Sequence, residues 1–178
     1  MMQSAKSLFR RFRRDDSGSA TFDFVIVMPL YVLLLVAAFE TGFISLRQVL
    51  LDRGMDMAVR YVRLNTGNPP TYVELKELIC QGAGVIDNCD DALKLEMEIQ
   101  DPRTNLALRS RPDCVNRSLA VQPAEIYQTG SDNQIMFLRA CVRFKPLFRT
   151  AIMGSAIADE HGEYAIVSTS MYVSEPSG

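Results

Sequence analysis

Residues 24–39 read FVIVMPLYVLLLVAAF without a charge, and after Glu40 and Thr41 the apolar run resumes at Gly42-Phe43-Ile44. The 23 residues 22–44 would extend about 34 Å as an α-helix, enough to cross a hydrocarbon layer of about 30 Å. The pattern then changes period. Leu46, Leu50, Met57 and Tyr61 recur at helical spacings, with Val49, Ala58 and Val62 beside them and Arg47, Asp52, Arg53, Asp56 and Arg60 between. That is an amphipathic continuation of the same helix. Gly54 weakens it slightly. Asn65-Thr66-Gly67 ends it and Pro69-Pro70 forbids its return. The whole helix is predicted at about 43 residues, or roughly 64 Å. Pro29 lies inside the apolar run, where it removes one helical hydrogen bond and favours a kink.

Beyond residue 70 the pattern predicts a short helix and three strands. Thr71 and Glu74 have the spacing of a capping box, with Leu75, Leu78 and Ile79 turned inward and an end near Gln81-Gly82. Residues 93–100, 134–145 and 163–173 alternate with the period of two that strands require. In the second, Met136, Leu138, Ala140, Val142 and Phe144 share one face and Arg139, Arg143 and Lys145 the other. An antiparallel sheet with one face on the helix and one face wet follows. Residues 101–130 read as a long loop. The predicted fold class is therefore α+β: a long N-terminal helix, transmembrane then amphipathic, packed on a small antiparallel sheet. The expected divisions are 1–18, a basic leader; 19–46, a transmembrane helix; 47–67, its amphipathic continuation; and 68–178, an extracytoplasmic domain.

Charge adds topology. The 178-residue chain carries a net −2, yet residues 1–18 hold five basic side chains (Lys6, Arg10, Arg11, Arg13, Arg14) against Asp15 and Asp16. The basic end precedes the apolar run, so the N-terminus is expected in the cytoplasm. The acidic remainder offers no basic patch for phosphates, which argues against a nucleic-acid partner. A cleaved secretory signal is the rival topology, with Val36-Ala37-Ala38 as a weak cleavage site, but the run is longer than an ordinary signal core.

All four cysteines, Cys80, Cys89, Cys114 and Cys141, follow the apolar run. Their spacing is too loose for zinc, and His161 is the single histidine. Disulfides in an oxidising compartment such as a periplasm are expected instead. Cys80 with Cys89 closes a small local loop, which leaves Cys114 for Cys141. Neither a metal nor another cofactor is expected.

Two acids interrupt the run. Asp23 stands at its start, where a helix dipole favours an anion, and Glu40 near its far end. A carboxylate at membrane depth usually faces protein or water. Each has two readings: a cap or interfacial group, or a contact with a partner helix or amine.

Arg13-Arg14-Asp15-Asp16-Ser17-Gly18-Ser19-Ala20-Thr21-Phe22-Asp23-Phe24 resembles a type IV prepilin leader: a basic head, a glycine, and an acid five residues on inside an apolar helix. With Val27-Met28-Pro29-Leu30 and Glu40-Thr41-Gly42 it is similar to TadE-type pseudopilins of the Tad/Flp pilus system. Leu78-Ile79-Cys80, Cys89, Pro146-Leu147-Phe148 and Glu175-Pro176 follow in the order expected of that family. The resemblance embraces both TadE and TadF subtypes; TadG-like relatives are much longer. It implies a pilin-like fold, cleavage between Gly18 and Ser19 by a prepilin peptidase, and Asp23 as the fifth residue of the mature chain, where the family usually has glutamate. Gly18 suits such a cut because, lacking a side chain, it threads a narrow cleft. Asp23, Phe24, Pro29 and Glu40 become the candidate helix-packing and assembly residues. The implied partners are membrane lipid, the peptidase, other pilins or pseudopilins and the Tad assembly platform, at a bacterial inner membrane or in an extracellular pilus.

The function expected is thus a structural, non-enzymatic minor pseudopilin. The alternatives are a single-pass subunit of another envelope complex that keeps its N-terminus, and an anchored periplasmic enzyme. His161 beside Asp159 and Glu160 reads as a turn, and no phosphate loop, nucleophile elbow or metal motif accompanies it.

Overall fold

The structure, a computed structural model, describes residues 19–65, 67–84, 86, 88–101, 103, 112–115, 125–149 and 151–176. Gly18, Thr66 and most of the expected loop 101–130 lie outside them. The elements are α1 (Ser19–Leu64), α2 (Tyr72–Ala83), α3 (Cys89–Ala92), β1 (Leu93–Gln100), β2 (Ile135–Phe144), α4 (Ile152–Ile157) and β3 (Tyr164–Val173). This is the α+β class, a long N-terminal helix followed by a three-stranded antiparallel sheet in the order β1-β2-β3.

The chain divides into two compact units, Met1–Phe39 and Glu40–Gly178. The described part of the first is the N-terminal half of α1. It is long and apolar enough to cross a membrane. Its large side chains, Phe22, Val25 and Leu34 among them, are exposed, and Pro29 stays within the helix. An unburied apolar helix at this position fits a single-pass anchor.

The second unit begins at Glu40, so the rest of α1 belongs to the domain core. Leu51, Met55, Ala58 and Val62 of α1 are buried against Leu75 and Ile79 of α2, Leu93, Leu95 and Met97 of β1, and Met136, Leu138, Ala140 and Val142 of β2. The buried stripe differs from the expected one: Leu46, Val49 and Tyr61 are exposed. Gly54 explains the rotation. A Cβ on it would lie 2.5 Å from the Ile79 carbonyl oxygen, and one on Gly82 would lie 2.7 Å from the Gly54 Cα. Two bare backbones meet there, so α1 turns its glycine face, with its neighbours Leu51, Met55 and Ala58, toward α2. The glycine costs helix propensity but permits an approach that no other residue allows.

Helix α2 starts as expected. Thr71 Oγ1 accepts the Glu74 N–H, and the Glu74 carboxylate accepts the Thr71 N–H at 2.8 Å. Helix α2 stops at Gly84, whose φ of 61° lies in the left-handed region and whose N–H donates to the Cys80 carbonyl.

The sheet departs from expectation on its far face. In β1 and β2 both faces are covered: Lys94, Glu96 and Arg139 are buried. Segment 112–115 lies over them. Lys94 Nζ sits 2.7 Å from Asp113 Oδ2, Glu96 Oε2 lies 3.5 Å from Arg139 Nη1, and the Asp113 N–H donates to Glu96 Oε1. The Cys114–Cys141 disulfide joins the segment to β2. Cys141 shares a strand face with Arg139 and Arg143, so its partner has to cover that face. The charges survive burial because each has an opposite charge or a donor. In β3 the buried set is Tyr164, Ile166, Ser168 and Tyr172.

Three tyrosines line one end of the core. Tyr127 Oη donates to the Pro70 carbonyl at 2.6 Å and Tyr172 Oη to Met97 Sδ at 3.3 Å. Tyr72 stands edge-on to Tyr127 at 5.7 Å. Burial pushes all three phenols up to about 12 from the ordinary value near 10. A phenol harder to ionise when folded contributes stability that is complete below about pH 10 and fades as pH rises through about 12. Urea midpoints of the full chain in detergent are therefore expected to fall between pH 10 and 12, and less steeply in the Tyr127→Phe/Tyr172→Phe double variant. Equal slopes would contradict this.

Candidate functional site

The two acids of the apolar run meet different fates. Ser19 is the first residue of α1 and Asp23 lies four residues on, exposed, with Phe24 beside it. Positions four apart face one another across one helical turn, about 5–6 Å between their β-carbons. An amine at residue 19 would thus have the Asp23 carboxylate within reach on its own helix.

Glu40 turns into its own domain instead. It is 1% exposed. Its Oε1 accepts the Leu147 N–H at 3.0 Å and its Oε2 accepts the Phe148 N–H at 2.9 Å. Two consecutive backbone donors aimed at one anion form a small nest. They supply the hydrogen bonds that a carboxylate withdrawn from water requires. The sequence had offered Glu40 either an interfacial place or a partner helix; here its partner is a turn 107 residues downstream.

That turn is fixed from other sides. The Arg47 guanidinium donates to the Lys145 carbonyl at 3.4 Å and to the Tyr164 hydroxyl, and it lies 4.6 Å above the Phe144 ring. Pro146 is buried. The Ala151 N–H donates to the Phe148 carbonyl at 3.1 Å, which leads into α4. A Cβ on Gly154 would stand 2.2 Å from that same carbonyl oxygen, so only glycine lets α4 close on the turn. Glu40 thereby ties the beginning of the domain to the end of β2. Among the strings that suggested a family, Glu40 of Glu40-Thr41-Gly42 holds Pro146-Leu147-Phe148 by two of its amides.

The remaining candidates fall elsewhere. Cys80 joins Cys89 with Cα atoms 5.8 Å apart, and Cys114 joins Cys141 at 5.2 Å. The first pair ties the end of α2 to α3, the second ties the covering segment to β2. His161 lies in an exposed turn closed by Asp159. The Glu163 N–H first, and the His161 N–H with it, hold the Asp159 carboxyl below its ordinary pKa. Gly162 supplies the left-handed residue of that turn, at φ 70°. Among the described residues no group of three or more His, Cys, Asp or Glu is placed to hold a metal ion. What the Glu40 arrangement does is position the turn at Leu147 and Phe148. Sequence reasoning missed the partner of Glu40; the signal available was the turn itself, a Pro-Leu-Phe with two apolar residues at a strand end.

Residues 18–60 match the family described as TadE-like protein. The match takes in Asp23, Pro29 and Glu40 and ends before α2. No curated protein and no solved structure matches the chain.

Proposed function

We propose that this chain is a membrane-anchored, non-enzymatic component of a Tad/Flp-type pilus system, a minor pseudopilin processed after Gly18. The observation that carries the reading is the TadE-like match over residues 18–60. Two features support it. The apolar half of α1, long enough for an anchor, follows the leader string in the sequence. Glu40, inside the matched stretch, holds the turn at Leu147 and Phe148 within the domain. Cleavage would leave a cationic amine at Ser19, and Asp23 one turn on would neutralise it, in the same copy or a neighbouring one. An unpaired charge at membrane depth would cost several kcal/mol, on the order of the penalty for any desolvated ion. In this reading the leader is cytoplasmic, the disulfide-bonded domain periplasmic, and the partners are the prepilin peptidase, other pilins or pseudopilins and the assembly platform.

The test is the mature N-terminus, read by intact-mass spectrometry after expression with and without the cognate prepilin peptidase. A peptidase-dependent start at Ser19 is expected. A start at Met1 or Met2 under both conditions would leave an anchored subunit of another envelope complex, and a start near Phe39 would mean a released soluble domain.

A further inference from the structure

The turn held by Glu40 and the start of α4 together expose a cluster of apolar side chains. Leu147 is 50% exposed, Phe148 37%, Ile152 73% and Met153 37%. Lys145 and Arg149, also exposed, flank them. Pro146 and Gly154 are buried beneath, while these apolar side chains are turned outward. The depth of this patch follows from the chain. Residues 21–39 form the apolar part of α1 and span about 28 Å, nearly the whole hydrocarbon thickness of about 30 Å. Glu40 is the next residue, so it stands at the boundary of the hydrocarbon. The Leu147 and Phe148 amides lie within 3.0 Å of its carboxylate and share its depth.

We infer that residues 145–149 and 151–153 form a foot that rests in the outer membrane–water interface, Leu147, Phe148, Ile152 and Met153 among the upper acyl chains and Lys145 and Arg149 at the lipid phosphates. The occupant of the patch is the bilayer that α1 crosses; the inference rests on the anchor reading above. Apolar side chains ringed by cations are the composition that binds such an interface. The foot gives the buried Glu40 a purpose: it fixes the domain's lipid-facing turn to the helix at one depth.

The chain has no tryptophan, so single tryptophans report cleanly. Full-length Leu34→Trp, Ile152→Trp, Leu147→Trp and Leu64→Trp variants would be reconstituted in phosphatidylethanolamine–phosphatidylglycerol vesicles, with and without lipids brominated on the acyl chains. Residue 34 lies in the apolar run; residue 64 is 24 residues beyond Glu40 on α1, about 36 Å along the axis. Expected is a loss of emission for Leu34→Trp, Ile152→Trp and Leu147→Trp, and none for Leu64→Trp. Quenching of Leu34→Trp alone, with red emission from positions 147 and 152, would overturn the foot and leave the anchor standing. Blue-shifted emission there without quenching would mean that a second copy covers the patch, which also overturns it. An unquenched Leu34→Trp would sink the anchor reading itself.

Discussion

Glu40→Ala is expected to destabilise the folded domain by about 3 kcal/mol, because it strips two buried backbone donors of one charged acceptor. The donors are the N–H groups of Leu147 and Phe148, at 3.0 and 2.9 Å. Some of the loss is recovered if water reaches the turn, which keeps the figure below the sum of two charged hydrogen bonds. Glu40→Gln is the sharper variant. Its amide is nearly isosteric but presents one oxygen and one NH2, so one backbone donor faces another donor. About 2 kcal/mol is expected there. Urea unfolding of the full chain in detergent measures both. Hydrogen exchange adds a local readout: protection at the 147 and 148 amides is expected to fall before that of β2. A loss below about 0.5 kcal/mol in both variants, within the usual range of surface substitutions, would show that the carboxylate only fills space.

The second large effect concerns Cys114–Cys141, whose partners are 27 residues apart. In the loop-entropy treatment its removal costs about 3.5 kcal/mol, against about 2.6 for the Cys80–Cys89 loop of separation 9. The larger bridge also keeps segment 112–115 over the far face of the sheet. Without it Asp113 leaves Lys94, and Glu96 loses the Asp113 N–H. Hydration of Lys94 and Glu96 offsets part of that loss, since a charge returned to water recovers its solvation. The Cys114→Ala/Cys141→Ala pair should therefore lower the denaturation midpoint more than Cys80→Ala/Cys89→Ala does. The reverse order would mean that the covering segment holds without its bridge.

Local signals in the sequence were clear. The capping box at Thr71 and Glu74, the end of α1 before Gly67 and the limits of the first strand depend on neighbouring residues, and the structure places them within a residue or two of expectation. The period-two pattern gave three strands and the fold class. Three features escaped because each is settled by chain distant in sequence. Two stripes of α1 are about equally apolar, and only the approach of Gly82 to Gly54 selects the one through Leu51 and Met55. Arg139 alternates as a solvent residue should, yet Glu96 on the neighbouring strand and the bridged segment beside it make burial tolerable. Glu40 sits among lipid-like residues, and nothing within a turn of it announces a partner at Leu147 and Phe148. The leader string lies outside the described residues, and Asp23 is exposed on α1, so the reading of both rests on the sequence pattern.

The contact of Gly54 with Gly82 has a mechanical consequence. A long helix transmits axial load to whatever is built on it. Smooth side-chain seams can creep under load by slipping one turn, about 5.4 Å. Slipping α1 by a turn would bring Leu50 or Ala58 against the backbone of α2, where a Cβ already has no room. The seam therefore works as a detent: within the domain it holds its notch until the two helices separate.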